Sequence, residues 1–159
     1  GRVPAGEVSE AMVSQYDVLP TLLEHLRLPP PADRSLPGRS FAGVLAGRTD
    51  QARDDVVVYD EYGPVRMIRT PQWKYVHRHP YGPHELYDLV RDGGERKNLI
   101  DEKGLQATVE ELRRRLAAWF ARYVVPEMDG ARFGVTGGGQ KHRITSDRCG
   151  EEAFFPRDF

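Results

Sequence analysis

The sequence predicts an α+β fold, a small antiparallel sheet of about four strands covered by one C-terminal helix. Three observations predict it. Short β-favouring runs, separated by turn residues, fill the stretch from about Asp55 to Leu89. A longer stretch, about Gln106 to Tyr123, repeats apolar residues at helical spacing. A separate helical and Pro-rich segment precedes both.

Asp17 is the expected N-cap of the first helix, with Pro20 in its first turn, where a missing N–H costs nothing. Leu19, Leu22, Leu23 and Leu26 then form one apolar stripe. Pro29-Pro30-Pro31 ends the helix and starts an extended connector. Leu36 to Phe41 reads as a turn, followed by a short helix through Val44 and Leu45, with Gly47 as its C′ residue.

In the sheet, Val56 to Tyr59 is an apolar run suited to a buried strand. Met67 and Ile68 lie in a second strand, Trp73 to Val76 in a third and Glu85 to Leu89 in a fourth. Thr70-Pro71-Gln72 is short enough to make the second and third strands an antiparallel hairpin. Trp73 and Tyr75 should share a face, because side chains alternate along a strand. On the long helix, Val109, Leu112, Leu116, Trp119, Phe120 and Tyr123 mark the face to be buried. Glu110 with Arg114, and Glu111 with Arg115, are expected as i,i+4 pairs on the other side. Pro126 stops this helix. Beyond it comes an irregular arm containing Gly137-Gly138-Gly139.

Composition excludes several classes of function. The 159 residues carry 23 basic and 24 acidic side chains, a net charge of -1, with 39% apolar and 30% charged residues. That balance leaves no electrostatic footprint for nucleic acid or for an anionic membrane. No apolar run is long enough to span a bilayer. The lone Cys149 cannot form an internal disulfide, so a cytoplasmic location is favoured slightly over a periplasmic or secreted one. Gly1-Arg2-Val3-Pro4 has neither an initiator Met nor the apolar region of a signal peptide, which suits a piece of a longer chain.

Several segments, in fixed order, resemble the C-terminal part of a type I sulfatase, the formylglycine-dependent family. These are Ser14-Gln15-Tyr16-Asp17-Val18-Leu19-Pro20-Thr21-Leu22-Leu23, then Leu36-Pro37-Gly38-Arg39-Ser40, then Arg66-Met67-Ile68-Arg69-Thr70-Pro71-Gln72-Trp73-Lys74-Tyr75. Glu85-Leu86-Tyr87-Asp88-Leu89, Asp92-Gly93-Gly94-Glu95 and Asn98-Leu99 complete the pattern, with Gly93 where proline is usual. The chain is similar to the C-terminal domain of arylsulfatases and N-sulfoglucosamine sulfohydrolase.

The resemblance implies three parts. Residues 1–50 would be the trailing segment of an alkaline-phosphatase-like α/β catalytic domain and its connector. Residues 51–125 would be the C-terminal subdomain, and 126–159 an arm able to join subunits. It also implies hydrolysis of a sulfate ester or sulfamate, with calcium or another divalent cation in the parent enzyme. The implied partners are the N-terminal catalytic domain and a sulfated small molecule or glycan. No catalytic or metal residue carries over. The family's nucleophile needs a Cys/Ser-x-Pro-x-Arg context, whereas Cys149 is followed by Gly150-Glu151-Glu152. The same portion of a phosphonate or phosphodiester hydrolase, or a free-standing non-enzymatic binding module, are the alternative readings.

His77, His79 and His84 are the most chemical-looking cluster, since His-x-His on a strand points both imidazoles to one face. No Cys or clear carboxylate accompanies them to make a metal site. With Arg66 they are the candidate substrate-binding residues, on the rim of the pocket. Surface or interface histidine is the bland alternative. Arg66, Arg69 and Lys74 could also be sheet-edge charges, or could pair with Asp60 and Glu61. Asp54-Asp55 reads as a solvated approach to the first strand, and Arg113-Arg114-Arg115 as a solvated helix face. Gly137-Gly138-Gly139 with Lys141 lacks the ending of a phosphate loop.

Overall fold

The first helix is anchored by polar contacts, made where the sequence supplies a buried carboxylate. A computed structural model of the chain describes residues 3–31, 36–48, 53–60, 65–79, 81–126 and 129. It divides the chain into two compact units, Gly1–Val56 and Val57–Phe159. Residues 131–159 of the expected arm, with Gly137-Gly138-Gly139, Lys141 and Cys149, lie outside the described residues.

In the first unit a 3₁₀ turn, Gln15–Asp17, leads into helix α1, Val18–Leu26. Asp17 is the N-cap residue of α1, as expected, but its side chain makes no cap hydrogen bond to that helix. Its carboxylate turns back to close a capping box with Ser14 around the 3₁₀ turn. Asp17 is only 1% exposed and fully partnered. Its Oδ2 accepts the Ser14 N–H at 2.8 Å, and its Oδ1 accepts the Arg39 N–H at 2.8 Å and the Arg53 guanidinium. Arg53 also donates to the carbonyls of Pro37 and Asp55. Thr21 repeats the device, donating to the Asp17 carbonyl at 2.6 Å and accepting the Phe41 N–H at 3.0 Å. Three separated stretches of chain therefore meet at one charge.

Gly38 belongs to that knot. A Cβ at this position would meet the Tyr16 carbonyl oxygen at 1.9 Å, so only glycine lets the two backbones approach this closely. Helix α1 ends before the prolines, because Arg27 turns into the left-handed region at φ 56°. The Leu28 N–H then bonds the Leu23 carbonyl at 2.8 Å, a Schellman-type close. Helix α2, Ala42–Leu45, is followed by Gly47 at φ 82°, as its expected C′ role requires.

The second unit is built on four strands in the order β1-β2-β3-β4. These are β1 Val56–Asp60, β2 Val65–Arg69, β3 Trp73–Arg78 and β4 Glu85–Asp88. Strands β2 and β3 form the expected antiparallel hairpin, closed by the Thr70 N–H on the Trp73 carbonyl at 2.8 Å. Ile68, Tyr75 and Leu86 lie directly opposite one another across three strands. All three are at most 1% exposed. Helix α3, Gln106–Tyr123, lays Leu112, Leu116 and Phe120 on this row, with Val57 completing the core. Removing each such side chain from water contributes about 1.5–3 kcal/mol.

One polar reading is corrected: Arg114 pairs with Glu111 at i,i+3, in a forked contact of 2.8–3.0 Å, and not with Glu110. Lys74 reaches Glu95, and Arg66 reaches Asp129; the Asp60 side chain and Glu61, the other partners considered, lie outside the described residues.

The outer edge of β4 is covered by a short segment. Asn98 Oδ1 accepts the Leu86 N–H at 2.9 Å, its Nδ2 donates to the His84 carbonyl at 3.1 Å, and the Leu99 N–H bonds the Leu86 carbonyl at 2.8 Å. A capped edge does not invite strand addition.

Candidate functional site

The register that buries Ile68, Tyr75 and Leu86 also decides what comes next along the sheet. Arg66 stands opposite His77, two residues on from the Ile68–Tyr75 pair and therefore on the same face. His79 follows just past the end of β3, and His84 just precedes β4. The β3–β4 connection thus folds three imidazoles together. His77 and His84 stack with centroids 4.2 Å apart and planes 18° from parallel, and His79 meets His77 edge-on at 4.3 Å. The structure gathers the three histidines that the sequence singled out. Gly82, at φ 93°, helps turn the connection, and a Cβ there would press on the His84 amide at 3.0 Å.

The inner members are held by the protein itself. His77 is buried, and its Nδ1 lies 2.8 Å from the Tyr75 hydroxyl. That hydroxyl donates when Nδ1 is bare and accepts when Nδ1 carries the proton. The His84 Nδ1 accepts the Arg78 N–H at 3.2 Å, so neutral His84 carries its proton on Nε2. The Arg66 guanidinium lies 3.7 Å from the centroid of the Phe120 ring and pairs with Asp129. Arg66 is thus placed beside the triad, already stacked and paired.

All three imidazoles are held neutral. Burial pushes His77 down to about 3, helped by His79, His84, Arg113 and Arg66. Burial and Arg66 push His79 down to about 4, against the opposing pull of Asp129. His84 is lowered by burial and then by Arg113 and Arg78. Burial raises the Tyr75 phenol, which stays protonated. The cluster therefore offers N–H donors and bare nitrogens without net imidazole charge.

Arg113 was read as part of a solvated face, and its relation to this cluster was missed. It is exposed and makes no hydrogen bond or ion pair among the described residues, yet its charge reaches all three imidazoles. A signal was present in the sequence. Arg113 lies four residues after Val109 and three before Leu116, on the margin of the buried stripe. The Tyr75 hydroxyl had a similar signal, two residues before His77 on one strand face.

The arrangement suits binding better than bond-breaking. Among the described residues no three His, Cys, Asp or Glu side chains gather in a way that could hold a metal ion. A calcium ion would want six to eight oxygen ligands, and the triad supplies only nitrogens. The residues described here do not fit the family's cation. In the first unit an open groove of about 760 Å³ is lined by Val3, Pro4, Val8, Val44, Leu45 and Arg48, among others. Its polar lining is Glu7, Ser9, Glu10 and Arg48, without a histidine. Among the described residues no helix is long and apolar enough to cross a membrane.

Residues 1–121 match the family model described as N-sulphoglucosamine sulphohydrolase, C-terminal. A curated Delta 4,5-hexuronate-2-O-sulfatase from Bacteroides thetaiotaomicron is 34% identical over 113 residues, covering 67% of this chain and 23% of the relative. Among solved structures, a 2-O GAG sulfatase is similar at 33% identity and a TM-score of 0.58, covering 73% of this chain and 25% of that one. A phosphonate monoester hydrolase of Agrobacterium radiobacter is similar at 26% identity and a TM-score of 0.61, covering 76% and 27%. The chain spans about a quarter of the length of the curated relatives it matches.

Proposed function

The chain belongs to the sulfatase family, matching its C-terminal domain, and from that premise we propose that it is the C-terminal portion of an enzyme hydrolysing a sulfate ester or sulfamate. The observation that carries this reading is the family match over residues 1–121. The nucleophile and the ligands of a divalent cation, calcium in the family, would lie upstream, since the part of the family matched here is its C-terminal one. This portion completes the fold of the N-terminal catalytic domain and contributes His77, His79, His84 and Arg66 to the rim of a pocket for a sulfated small molecule or glycan. The half-exposed Leu19, Leu22 and Leu26 on α1 support an apolar contact with that catalytic domain.

The likeness to a phosphonate monoester hydrolase favours a second reading, in which the same portion serves a phosphonate or phosphodiester hydrolase. One experiment separates the two. The coding frame extended upstream is expressed, and the product is assayed for sulfate release from sulfated saccharides and for hydrolysis of a phosphonate monoester, beside the 159-residue chain. Sulfate release by the longer protein, with none by the chain alone, is the expected result. Preference for the phosphonate would move the assignment to the second reading. Turnover by the chain alone would overturn the proposed division of labour.

A further inference from the structure

The polar groups around the triad differ in how they are occupied. On the inside, His77 is bonded to Tyr75, and Arg66 is stacked on Phe120 and paired with Asp129. On the outside, donors remain. The half-buried His79 ring makes no hydrogen bond among the described residues, and neither does the His84 Nε2. Arg113 adds an unpaired guanidinium. Half-buried N–H donors without partners have lost part of their hydration, and a ligand acceptor can restore those bonds. Two guanidiniums beside them disfavour a cation and favour a negative acceptor.

We propose that His79, the His84 Nε2 and Arg113 form an oxyanion site, for a sulfate or carboxylate group of an acidic ligand, with the Arg66–Asp129 pair as its inner wall. The inference rests on the reading that this cluster faces a ligand, and it names the group that is gripped. Asp129 already shows the chemistry on a small scale, as a carboxylate seated on the neighbouring guanidinium.

A consequence follows from charge balance. A bound anion favours protonated imidazole, so binding and proton uptake assist one another, and affinity rises as pH falls. The charged and titratable groups facing the triad are Arg66, Arg78, Arg113, Asp129 and Tyr75, with Glu110 near Tyr75 and with Glu85 paired to Arg78 at 2.7 Å. Of these, the carboxylates of Asp129, Glu85 and Glu110 oppose an incoming anion, and Asp129 acts on His79 itself.

The test uses the full 159-residue chain and no turnover. The carbon-bound imidazole protons are followed by NMR while sodium sulfate or sodium acetate is added, at pH 7.0 and pH 5.5. Sodium chloride at matched ionic strength is the control. The expected result is a saturable shift of the His79 and His84 signals, several-fold tighter at the lower pH. The tighter of the two anions identifies the group. Arg113→Gln should weaken binding about tenfold, and Arg113→Lys should restore part of it. Arg113 is exposed, so an unchanged melting temperature will confirm that the variant is folded. Equal shifts with chloride, or wild-type binding by Arg113→Gln, would overturn the proposal. Failure of the longer protein to release sulfate would remove the sulfatase reading and leave this measurement intact.

Discussion

Helices α1 and α3 both carry an apolar stripe, but they are held by different physics. On α3 the stripe is the anchor, with Leu112, Leu116 and Phe120 exposed by 3%, 3% and 5%. On α1, Leu22 and Leu26 remain 51% and 61% exposed. The buried residues at the base of α1 are polar ones, Asp17 and Thr21, which hold the backbone of the 36–41 turn. A helical stripe states a demand for burial without naming the surface that meets it. In the second unit the sheet meets it. In the first unit a carboxylate knot fixes the helix and leaves the stripe available.

The largest expected effect tests the knot. Asp17→Ala leaves the Arg53 charge and the Ser14 and Arg39 amides without their acceptor, and breaking one side of a buried ion pair costs about 3–5 kcal/mol. Amide exchange at Ser14 and Arg39 should accelerate strongly while the α3 amides stay protected. Unchanged protection at Arg39 would show that α1 is held by something else.

The stripes themselves come next. Leu116→Ala should cost about 2–5 kcal/mol by thermal denaturation, because it opens a cavity in a packed core. Leu22→Ala in the same chain should stay within about 0.5 kcal/mol. Equal losses would erase the contrast between the two helices.

A smaller effect is pH-dependent and confined to the second unit. The folded proton affinity of His77, about 3, lies below its ordinary value of 6.5. Between these values the unfolded chain binds the proton and the folded chain does not. The contribution is therefore complete above about pH 6.5 and is lost progressively as pH falls toward 3. Arg66, Arg113, His79 and His84 all act in this direction on His77. His77→Gln removes the group, so its melting temperature should fall less steeply from pH 6.5 to 4 than that of the parent chain. Parallel curves would refute a neutral, buried His77.

The smallest effect is Tyr75→Phe. Losing the hydroxyl bond to His77 should cost about 1 kcal/mol and should shift the His77 NMR signals. An unmoved His77 signal would show that the bond does not form in solution.

Much of the second unit was legible in advance because its signals are local. Val56 to Tyr59, the Thr70-Pro71-Gln72 turn and the repeat from Val109 to Phe120 each carry their own periodicity or turn chemistry. The observed strands and α3 follow those stretches closely. The grouping of His77 with His79 was also legible, because alternate residues on a strand share a face. What stayed hidden depends on contacts distant in sequence. Asp17 takes the N-cap position expected of it, but nothing local showed Arg39 and Arg53 folding over its carboxylate. Nothing local pointed Arg66 to Asp129, 63 residues away. Arg113 looked like one of three solvated arginines until α3 was laid across the sheet.

The sequence by itself determined where helices and strands form, which faces must be buried and the family to which the chain belongs. The elements and their buried faces follow from dihedral preference and hydrophobic spacing, which act over a few residues, and the family from the order of its motifs along the chain. Only the tertiary structure decided which charges found partners, that two imidazoles stack with a third edge-on, and that the Arg113 charge reaches them while it makes no ion pair among the described residues. Pairing and proton affinity depend on distances and desolvation between segments far apart in the chain, and these exist only once the chain has folded.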